Sequence, residues 1–243
     1  MRFKNRVAVI TGAGQGLGAA FAAEFAKEGA SVVLTGRSAE KLEKAAADIK
    51  AAGGKAVSFI MDVCDFAQVS GVIRNVRETF GQIDILVNNA ASFKSVPIAV
   101  LTPEEWDIQI KTNLYGTFYC TKAVLPYMIE RKYGKIVNIS SSAAKMFFPG
   151  FGAYAASKGG IVSFAHTLSE EVKQHGINVN SIYLGMTNTQ AVRKRMEESD
   201  KAVTINTDEM MQMDEVSRVV TFLASDDAKT IMGAAIDVFG KKY

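Results

Sequence analysis

Short apolar runs alternate with longer amphipathic segments along most of the chain. Seven runs of five or six residues are rich in apolar and β-branched side chains, which is typical of buried β-strands. They cover residues 6–10, 31–35, 56–61, 83–87, 135–139, 177–182 and 234–238. The pattern therefore predicts a sheet whose strands are spread over the whole sequence.

Helical patterns separate these runs. They cover residues 19–29, 39–52, 66–80, a long segment from 103 that Pro126 disturbs, about 154–174, and 213–224. Asp65 is expected to cap the third helix, and Pro103 suits a first helical position. Strands joined by helices of this length pair in parallel through right-handed crossovers. We expect one α/β domain over residues 1–243, a doubly wound parallel sheet (Rossmann fold) of about seven strands with helices on both faces.

Residues 185–210 form the one stretch without a clear period, and they mix polar, charged and methionine side chains. A long irregular connection inside a compact domain is usually a functional lid or a disordered excursion. Ligands bind outside the carboxyl ends of strands in such sheets, and this stretch leaves one of those ends. We interpret it as a substrate lid.

Composition excludes several classes of function. Hydrophobic residues make up 48% of the chain and charged residues 22%, with a formal net charge of +3, which is too small and too scattered to favour nucleic acid. The apolar run near the N-terminus is too short for a membrane span or a signal peptide, so no membrane partner and a cytoplasmic location are expected. Cys64, Cys120, His166 and His175 have no disulfide or metal spacing, so no metal site is predicted.

A glycine-rich turn, Thr11-Gly12-Ala13-Gly14-Gln15-Gly16-Leu17-Gly18, joins the first strand to the first helix. Glycines allow a tight turn and the close approach of a pyrophosphate, and the following helix offers free N–H groups at its positive end. The alternative is an ordinary tight turn. Its position after the first strand favours dinucleotide binding.

The end of the second strand distinguishes between the two nicotinamide cofactors. An NAD site normally has an acid there, whereas this chain has Thr35-Gly36-Arg37 and no carboxylate before Glu40. Arg37 can bind a 2′-phosphate, so we predict NADP (NADPH), with NAD as the alternative. The other interpretation of Arg37 is a solvent-facing loop residue. Gln15 does not decide the matter, because only a Lys or Arg in the glycine turn would strengthen the prediction.

Tyr154 and Lys158 lie one helical turn apart and therefore on one face of a predicted helix. A nearby cation lowers the pKa of a phenol, which would prepare Tyr154 to exchange a proton with an oxygen atom. The same spacing is also common on amphipathic helices with no catalytic role.

These features together resemble the short-chain dehydrogenase/reductase family over essentially the whole length. The motifs that carry the resemblance are the Thr11-Gly12-xxx-Gly16-x-Gly18 turn, Asp62-Val63, Asn88-Asn89-Ala90, and the set Asn113, Ser141, Tyr154 and Lys158. Within the family the chain is most similar to the 3-oxoacyl-[acyl-carrier-protein] reductase group. The resemblance implies hydride transfer between nicotinamide and a carbonyl or carbinol carbon.

The resemblance also implies a role for each residue of the catalytic set. Tyr154 would act as general acid, Ser141 would supply a second hydrogen bond to the substrate oxygen, and Lys158 would lower the phenol pKa and hold the nicotinamide ribose. Asn113 would bind a water of a proton relay. The alternatives are a polar residue on the outer face of a helix for Asn113 and a loop serine for Ser141.

For the cofactor, the resemblance implies a set of contacts along the chain. They are Gly12, Gln15, Gly16, Leu17, Gly18, Arg37, Asp62, Val63, Asn89, Ala90, Tyr154, Lys158, Gly185, Thr187 and Thr189. Two positions depart from the family's pattern. Ala91 replaces a common glycine after the Asn-Asn-Ala motif, and Leu184 replaces a common proline before Gly185.

The substrate is expected to be a small molecule or an acyl thioester. Candidates for an apolar pocket, each of which could equally fill the core, are Phe93, Met146, Phe147, Phe148, Phe151, Met186, Met210, Met211 and Met213. The basic run 193–195 is either solvated surface or a contact for an acyl carrier protein.

The resemblance implies a homotetramer assembled through the helices that contain Asn113 and Tyr154 and through the last strand. The apolar outer positions Phe118, Tyr119, Phe164 and Leu168 are compatible with this. Two rival functions remain at this point: an NAD-dependent alcohol dehydrogenase working oxidatively, and a catalytically idle nucleotide-binding protein.

Overall fold

A single seven-stranded parallel sheet forms the centre of the computed structural model, which describes residues 1–197 and 210–240. The strand order is β3-β2-β1-β4-β5-β6-β7. The strands are β1 (Val7–Thr11), β2 (Ser31–Gly36), β3 (Lys55–Ile60), β4 (Ile85–Asn88), β5 (Gly134–Ile139), β6 (Ile177–Leu184) and β7 (Ala235–Val238). This confirms the predicted doubly wound fold, and the strand ends differ from the predicted ones by one or two residues.

Helices cover both faces of the sheet. They are α1 (Gly16–Lys27), α2 (Ala39–Ala51), α3 (Phe66–Phe80), α4 (Pro103–Ile110), α5 (Gly116–Arg131), α6 (Gly152–Val172), α7 (Gln190–Glu197) and α8 (Met213–Leu223). Asp65 accepts from the backbone N–H of Gln68, which confirms the predicted cap of α3. Within residues 1–197 and 210–240, no helix has the length and apolar character needed to cross a bilayer.

Successive residues of β1 feed two separate cores, because side chains alternate across a strand. Ala8 and Ile10 pack with Phe21 and Phe25 of α1 on one face. Val7 and Val9 face the other core, which α3, α5 and α6 complete. The sheet is thus buried on both faces, as parallel sheets require.

The direction of winding reverses between β1 and β4. From β1 the chain moves outward through β2 and β3, and it then returns to place β4 on the other side of β1. The carboxyl ends of β1 and β4 therefore diverge into two sets of loops, which leaves a crevice at the position where such sheets bind ligands.

The long helix predicted from residue 103 is interrupted in a different place from the one expected. A π-helical segment, Lys111–Tyr115, separates α4 from α5, and α5 continues past Pro126 to Arg131. Pro126 is exposed, so water can bond the carbonyl group that the missing N–H leaves free. The prediction that Pro126 disturbs the helix is therefore wrong.

Two further expectations need correction. The stretch 185–210 is not irregular throughout, because α7 occupies Gln190–Glu197; Thr189 begins this helix by accepting from the N–H of Val192. The remainder of the predicted lid, 198–209, lies outside the described residues. Leu168 is not an outer position, since it is 4% exposed and packs in the core.

Candidate active site

The glycine turn between β1 and α1 adopts the backbone conformation that its sequence predicts. Gly12 and Gly16 have φ values of +65° and +57°, a region that favours glycine. Gly18 is needed for a different reason: a Cβ there would overlap the carbonyl oxygen of Gly12 and lie 2.6 Å from Asn89 Nδ2. Gly18 is therefore a packing position beneath the turn.

Asn89 ties the end of β4 to this turn. Its Nδ2 donates to the carbonyl oxygens of Thr11 (2.8 Å) and Gly12 (3.3 Å). In return, Thr11 Oγ1 accepts from the backbone N–H groups of Asn89 (2.9 Å) and Ala90 (3.0 Å). These bonds fix the glycine turn against the start of the loop that follows β4.

Replacing Gly18 by Ala is expected to disrupt this junction. Because the added methyl meets backbone and the Asn89 amide, the free energy of unfolding should fall by about 1–3 kcal/mol. The cofactor that the sequence predicts, NADPH, should also stabilise the variant less than the wild type if it binds at this turn. Urea unfolding with and without NADPH measures both effects. Gly71→Ala is the matched control, since a Cβ at Gly71 in α3 meets nothing within 4 Å and should stabilise the protein by about 0.5–1 kcal/mol. Equal stability of Gly18→Ala and wild type would contradict this account of the turn.

A groove of about 990 Å³ runs from the glycine turn along the carboxyl ends of the strands. Many predicted cofactor contacts line it: Gly12, Gln15, Gly16, Leu17, Arg37, Asp62, Val63, Asn89, Ala90 and Thr189. Ala91 and Thr112 line it as well, so a residue that departs from the family's pattern borders this space.

Other predicted contacts lie outside the lining of the groove. Gly18 is buried beneath the turn, and Gly185 packs against Phe239. Thr187 is 3% exposed, donates to the carbonyl of Gly185 at 3.3 Å, and forms a β-bridge with Met211. Tyr154 and Lys158 lie outside the lining too.

Sequence reasoning missed several charged residues of the groove. Lys41 lines it from α2, and Arg193, Lys194 and Glu197 line it from α7. The first two residues of the basic run 193–195 therefore face the groove; the side chain of Arg195 lies outside the described part of the structure. These residues reach the groove because α2 and α7 lie close to the glycine turn in the folded chain. No local sequence motif indicates this.

Lys158 is the most unusual charged residue of the site. It is 2% exposed, and its Nζ donates a 2.7 Å hydrogen bond to the carbonyl oxygen of Ile139 at the end of β5. Burial lowers the pKa of Lys158 to about 8. The ammonium lies 5.6 Å from the centre of the Tyr154 ring, so both groups occupy the same end of α6.

Aromatic side chains fix the ring of Tyr154. Phe93 meets it edge to face, with ring centres 4.9 Å apart and planes at 87°, and Phe151 lies at 6.3 Å with the same angle. Phe93 and Phe151 also contact each other at 4.7 Å. Edge-to-face contacts of this kind restrict ring rotation and give the phenol an apolar wall on one side.

Ser141 follows β5 and caps a 3₁₀ turn, Ser142–Ala144, by accepting from the N–H of Ala143 at 3.2 Å. Its neighbour Ser140 is 2% exposed and donates to the carbonyl oxygen of Lys158 at 2.9 Å. Ser140 thus joins β5 to α6, while Ser141 is partly exposed beside them.

Asn113 lies in the π-helical segment and is fully buried. Its Nδ2 donates to the Ser92 carbonyl (3.0 Å) and to Ser157 Oγ (2.9 Å), and its Oδ1 accepts from the Ser92 N–H (2.7 Å). Ser157 Oγ in turn donates to the carbonyl of Tyr154 at 2.7 Å. The alternative of an outer-face asparagine is therefore wrong, because Asn113 joins the loop after β4 to the helix that carries Tyr154.

A buried ammonium is costly, and a helix that needed only packing at this position would not retain one. Beside a phenol and against the carboxyl end of β5, it is suited to proton transfer in chemistry with a nicotinamide cofactor. The class that these features define is a nucleotide-dependent oxidoreductase.

The chain belongs to the short-chain dehydrogenase family, whose model matches residues 6–222. It is 35% identical to the (2S)-[(R)-hydroxy(phenyl)methyl]succinyl-CoA dehydrogenase subunit BbsD of Thauera aromatica, over 99% of this chain and 97% of that protein. It is 34% identical to the 3-oxoacyl-[acyl-carrier-protein] reductase FabG of Thermotoga maritima, over 99% and 98%. It is therefore an oxidoreductase that acts on CH–OH or C=O groups with NAD(P).

Solved structures are also similar to this chain over nearly its whole length. A variant actinorhodin polyketide ketoreductase with NADPH superposes with a TM-score of 0.91 at 32% identity, covering 97% of this chain and 96% of that one. An NAD⁺-bound xylitol dehydrogenase reaches 0.92 at 29% identity, covering 99% and 100%. Both nicotinamide cofactors thus occur among similar structures.

Proposed function

We propose that this protein is an NADPH-dependent reductase that converts the carbonyl group of an apolar ketone or a 3-oxoacyl thioester to a secondary alcohol. The observation that carries the proposal is the buried ammonium of Lys158 beside Tyr154. The cofactor, when bound, supplies the hydride from its nicotinamide C4. The protein must then stabilise and protonate the substrate oxygen on which negative charge develops.

Tyr154 is the proton donor in this proposal. The positive charge of Lys158, 5.6 Å from the centre of the Tyr154 ring, would stabilise the phenolate that forms when Tyr154 gives its proton to the substrate oxygen. Ser141 supplies a second hydrogen bond to that oxygen. Asn113 holds the backbone of the tyrosine helix through Ser157, and it would bind a water through which Tyr154 regains a proton.

NADPH is favoured over NADH by the charges of the groove. Arg37, Lys41, Arg193 and Lys194 provide four cations among its lining residues, against the two carboxylates of Asp62 and Glu197. A net excess of positive charge suits a ligand with three phosphate groups. Arg37, directly after β2, is our candidate for the 2′-phosphate ligand, and the other predicted contacts that line the groove are proposed to bind the rest of the cofactor.

An apolar substrate is favoured by the surroundings of Tyr154. Phe93 and Phe151 contact its ring, and Phe148, which is 40% exposed, contacts Phe151 with ring centres 5.3 Å apart. Phe147 and Met186 are 99% and 51% exposed. Met210 and Met211 are instead buried at 6% and 5%, and Met211 packs in a core cluster. The thioester class also appears in the names of the two similar proteins described above.

We also propose a single functional domain over residues 1–243, with a lid at about 185–210 and a homotetrameric assembly through α5 and α6. Phe118, at 40% exposure, contacts Tyr119 and Phe164 and contributes to an apolar outer face on these two helices. Light scattering in solution tests the assembly.

The proposal predicts a clear cofactor and substrate preference. Loss of NADPH absorbance should be rapid with apolar ketones and 3-oxoacyl thioesters, and catalytic efficiency with NADPH should exceed that with NADH by about tenfold or more. A preference for NADH would instead indicate an NAD-dependent dehydrogenase. Tight NADPH binding without turnover on any substrate of the panel would indicate a nucleotide-binding protein without catalysis.

A further inference from the structure

Lys41 is held by the glycine turn itself. Its Nζ donates a 2.7 Å hydrogen bond to Oε1 of Gln15, a residue 26 positions earlier in the chain. Gln15 lies in the turn between Gly14 and Gly16, and Lys41 lies in the first helical turn of α2. The bond therefore joins the glycine turn to α2, and both residues line the groove.

Close packing of α2 on the glycine turn fixes the position of the Lys41 backbone. A Cβ at Gly14 would lie 3.1 Å from Cβ of Lys41 and 3.5 Å from the backbone nitrogen of Leu42. Leu42 itself is 1% exposed and packs in the core with Ala46. The backbone of Lys41 is thus anchored, and only the outer part of its side chain can adjust.

Arg37 and Ser38 complete the same end of the groove. Both line it together with Gln15 and Lys41. Ser38 is the N-cap residue of α2, yet its side chain makes no capping hydrogen bond. Two cations, a hydroxyl and the N-terminus of α2 therefore border the groove. The residues of this segment that line it are Arg37, Ser38 and Lys41, and none of them carries a carboxylate.

We propose that Lys41, oriented by Gln15, is a second cationic ligand for the 2′-phosphate of NADPH and shares it with Arg37. This inference rests on the proposed preference for NADPH. An ammonium group has three donors, so Lys41 can keep its bond to Gln15 while it binds a phosphate oxygen. Gln15 is neutral and orients the ammonium without cancelling its charge, whereas a carboxylate at this position would do so. A cation that the sequence lacks within the glycine turn is thus supplied from α2.

The test compares catalytic efficiency with NADPH and NADH for wild type, Lys41→Ala and Lys44→Ala. Lys44 is the matched control, because it is an exposed lysine on the same helix that does not line the groove. Lys41→Ala should lose about tenfold or more in efficiency with NADPH and change little with NADH. Lys44→Ala should match wild type with both cofactors.

A binding measurement separates the 2′-phosphate from the rest of the cofactor. Calorimetric titration with adenosine 2′,5′-bisphosphate should show weaker binding to Lys41→Ala than to wild type, and titration with ADP should show none of this difference. If wild type prefers NADPH and Lys41→Ala keeps that preference, or loses both cofactors equally, the inference is wrong while the proposed function stands. If wild type prefers NADH, the proposed cofactor itself is wrong.

Discussion

Tyr154→Phe should lower the turnover number for ketone reduction by about 10³-fold, because the variant lacks the hydroxyl group that we propose as the proton donor to the substrate oxygen. The phenyl ring keeps its edge-to-face contact with Phe93, so the fold and the groove should be retained. NADPH affinity should therefore stay within about threefold of wild type. Steady-state kinetics and fluorescence titration with NADPH measure the two quantities.

Tyr119→Phe is the matched control for this variant. Tyr119 lies on α5 in an aromatic cluster with Phe66 and Phe118 and does not line the groove. The substitution removes the same hydroxyl group from this tyrosine. It should keep wild-type turnover. Near-normal turnover by Tyr154→Phe would show that another group donates the proton.

The second large effect is expected for Lys158→Met, which removes the buried ammonium but nearly keeps the volume of the side chain. Turnover should fall by about 10²-fold or more, because the proposed proton donor loses the positive charge that would stabilise its phenolate. The melting temperature at pH 7 should not fall in parallel, since desolvation of Lys158 disfavours its charged form in the folded protein. Lys50→Met, at an exposed position of α2, is the control and should be fully active.

The pH dependence of this variant gives an independent check. Burial lowers the pKa of Lys158 from its ordinary value of 10.5 to about 8, so the ammonium is present below that pH and lost above it. Wild-type catalytic efficiency for reduction should therefore decline as pH rises through about 8, and Lys158→Met should lack this decline.

The stability of the folded protein should also depend on pH through Lys158. Between about pH 8 and 10.5 the unfolded chain holds more protons than the folded one, so the free energy of unfolding of the wild type should rise with pH in that window. Stability curves of the same slope for wild type and variant would contradict the assignment.

The sheet could be predicted from sequence because its signals are local. Apolar runs of strand length and intervening helices were enough for the strand number and the parallel pairing, and Asp65 marked the start of α3 correctly. The errors arose where local signals compete with tertiary packing. A proline usually ends a helix. Pro126 does not, because it lies at an exposed position of α5 where water can replace the lost backbone hydrogen bond. Leu168 has an ordinary helical spacing that does not reveal which side of α6 meets the sheet.

The site was predictable only where its residues are close in sequence. The glycine turn and the Tyr154–Lys158 spacing could be read directly, whereas the link from Asn113 through Ser157 to the tyrosine helix depends on a π-helical segment. Lys41 was overlooked because its importance comes from its contact with Gln15, 26 residues away. Likewise, the charge run at 193–194 gave no sign that α7 would turn it towards the groove.

Transfer of deuterium from labelled cofactor to substrate tests the central claim most directly. The wild-type protein is incubated with a 3-oxoacyl thioester and NADPH that carries deuterium at both C4 positions, and the alcohol product is analysed by mass spectrometry. Our account predicts one deuterium on the carbinol carbon of every product molecule. An alcohol without deuterium, or no alcohol from protein that demonstrably binds NADPH, would contradict it.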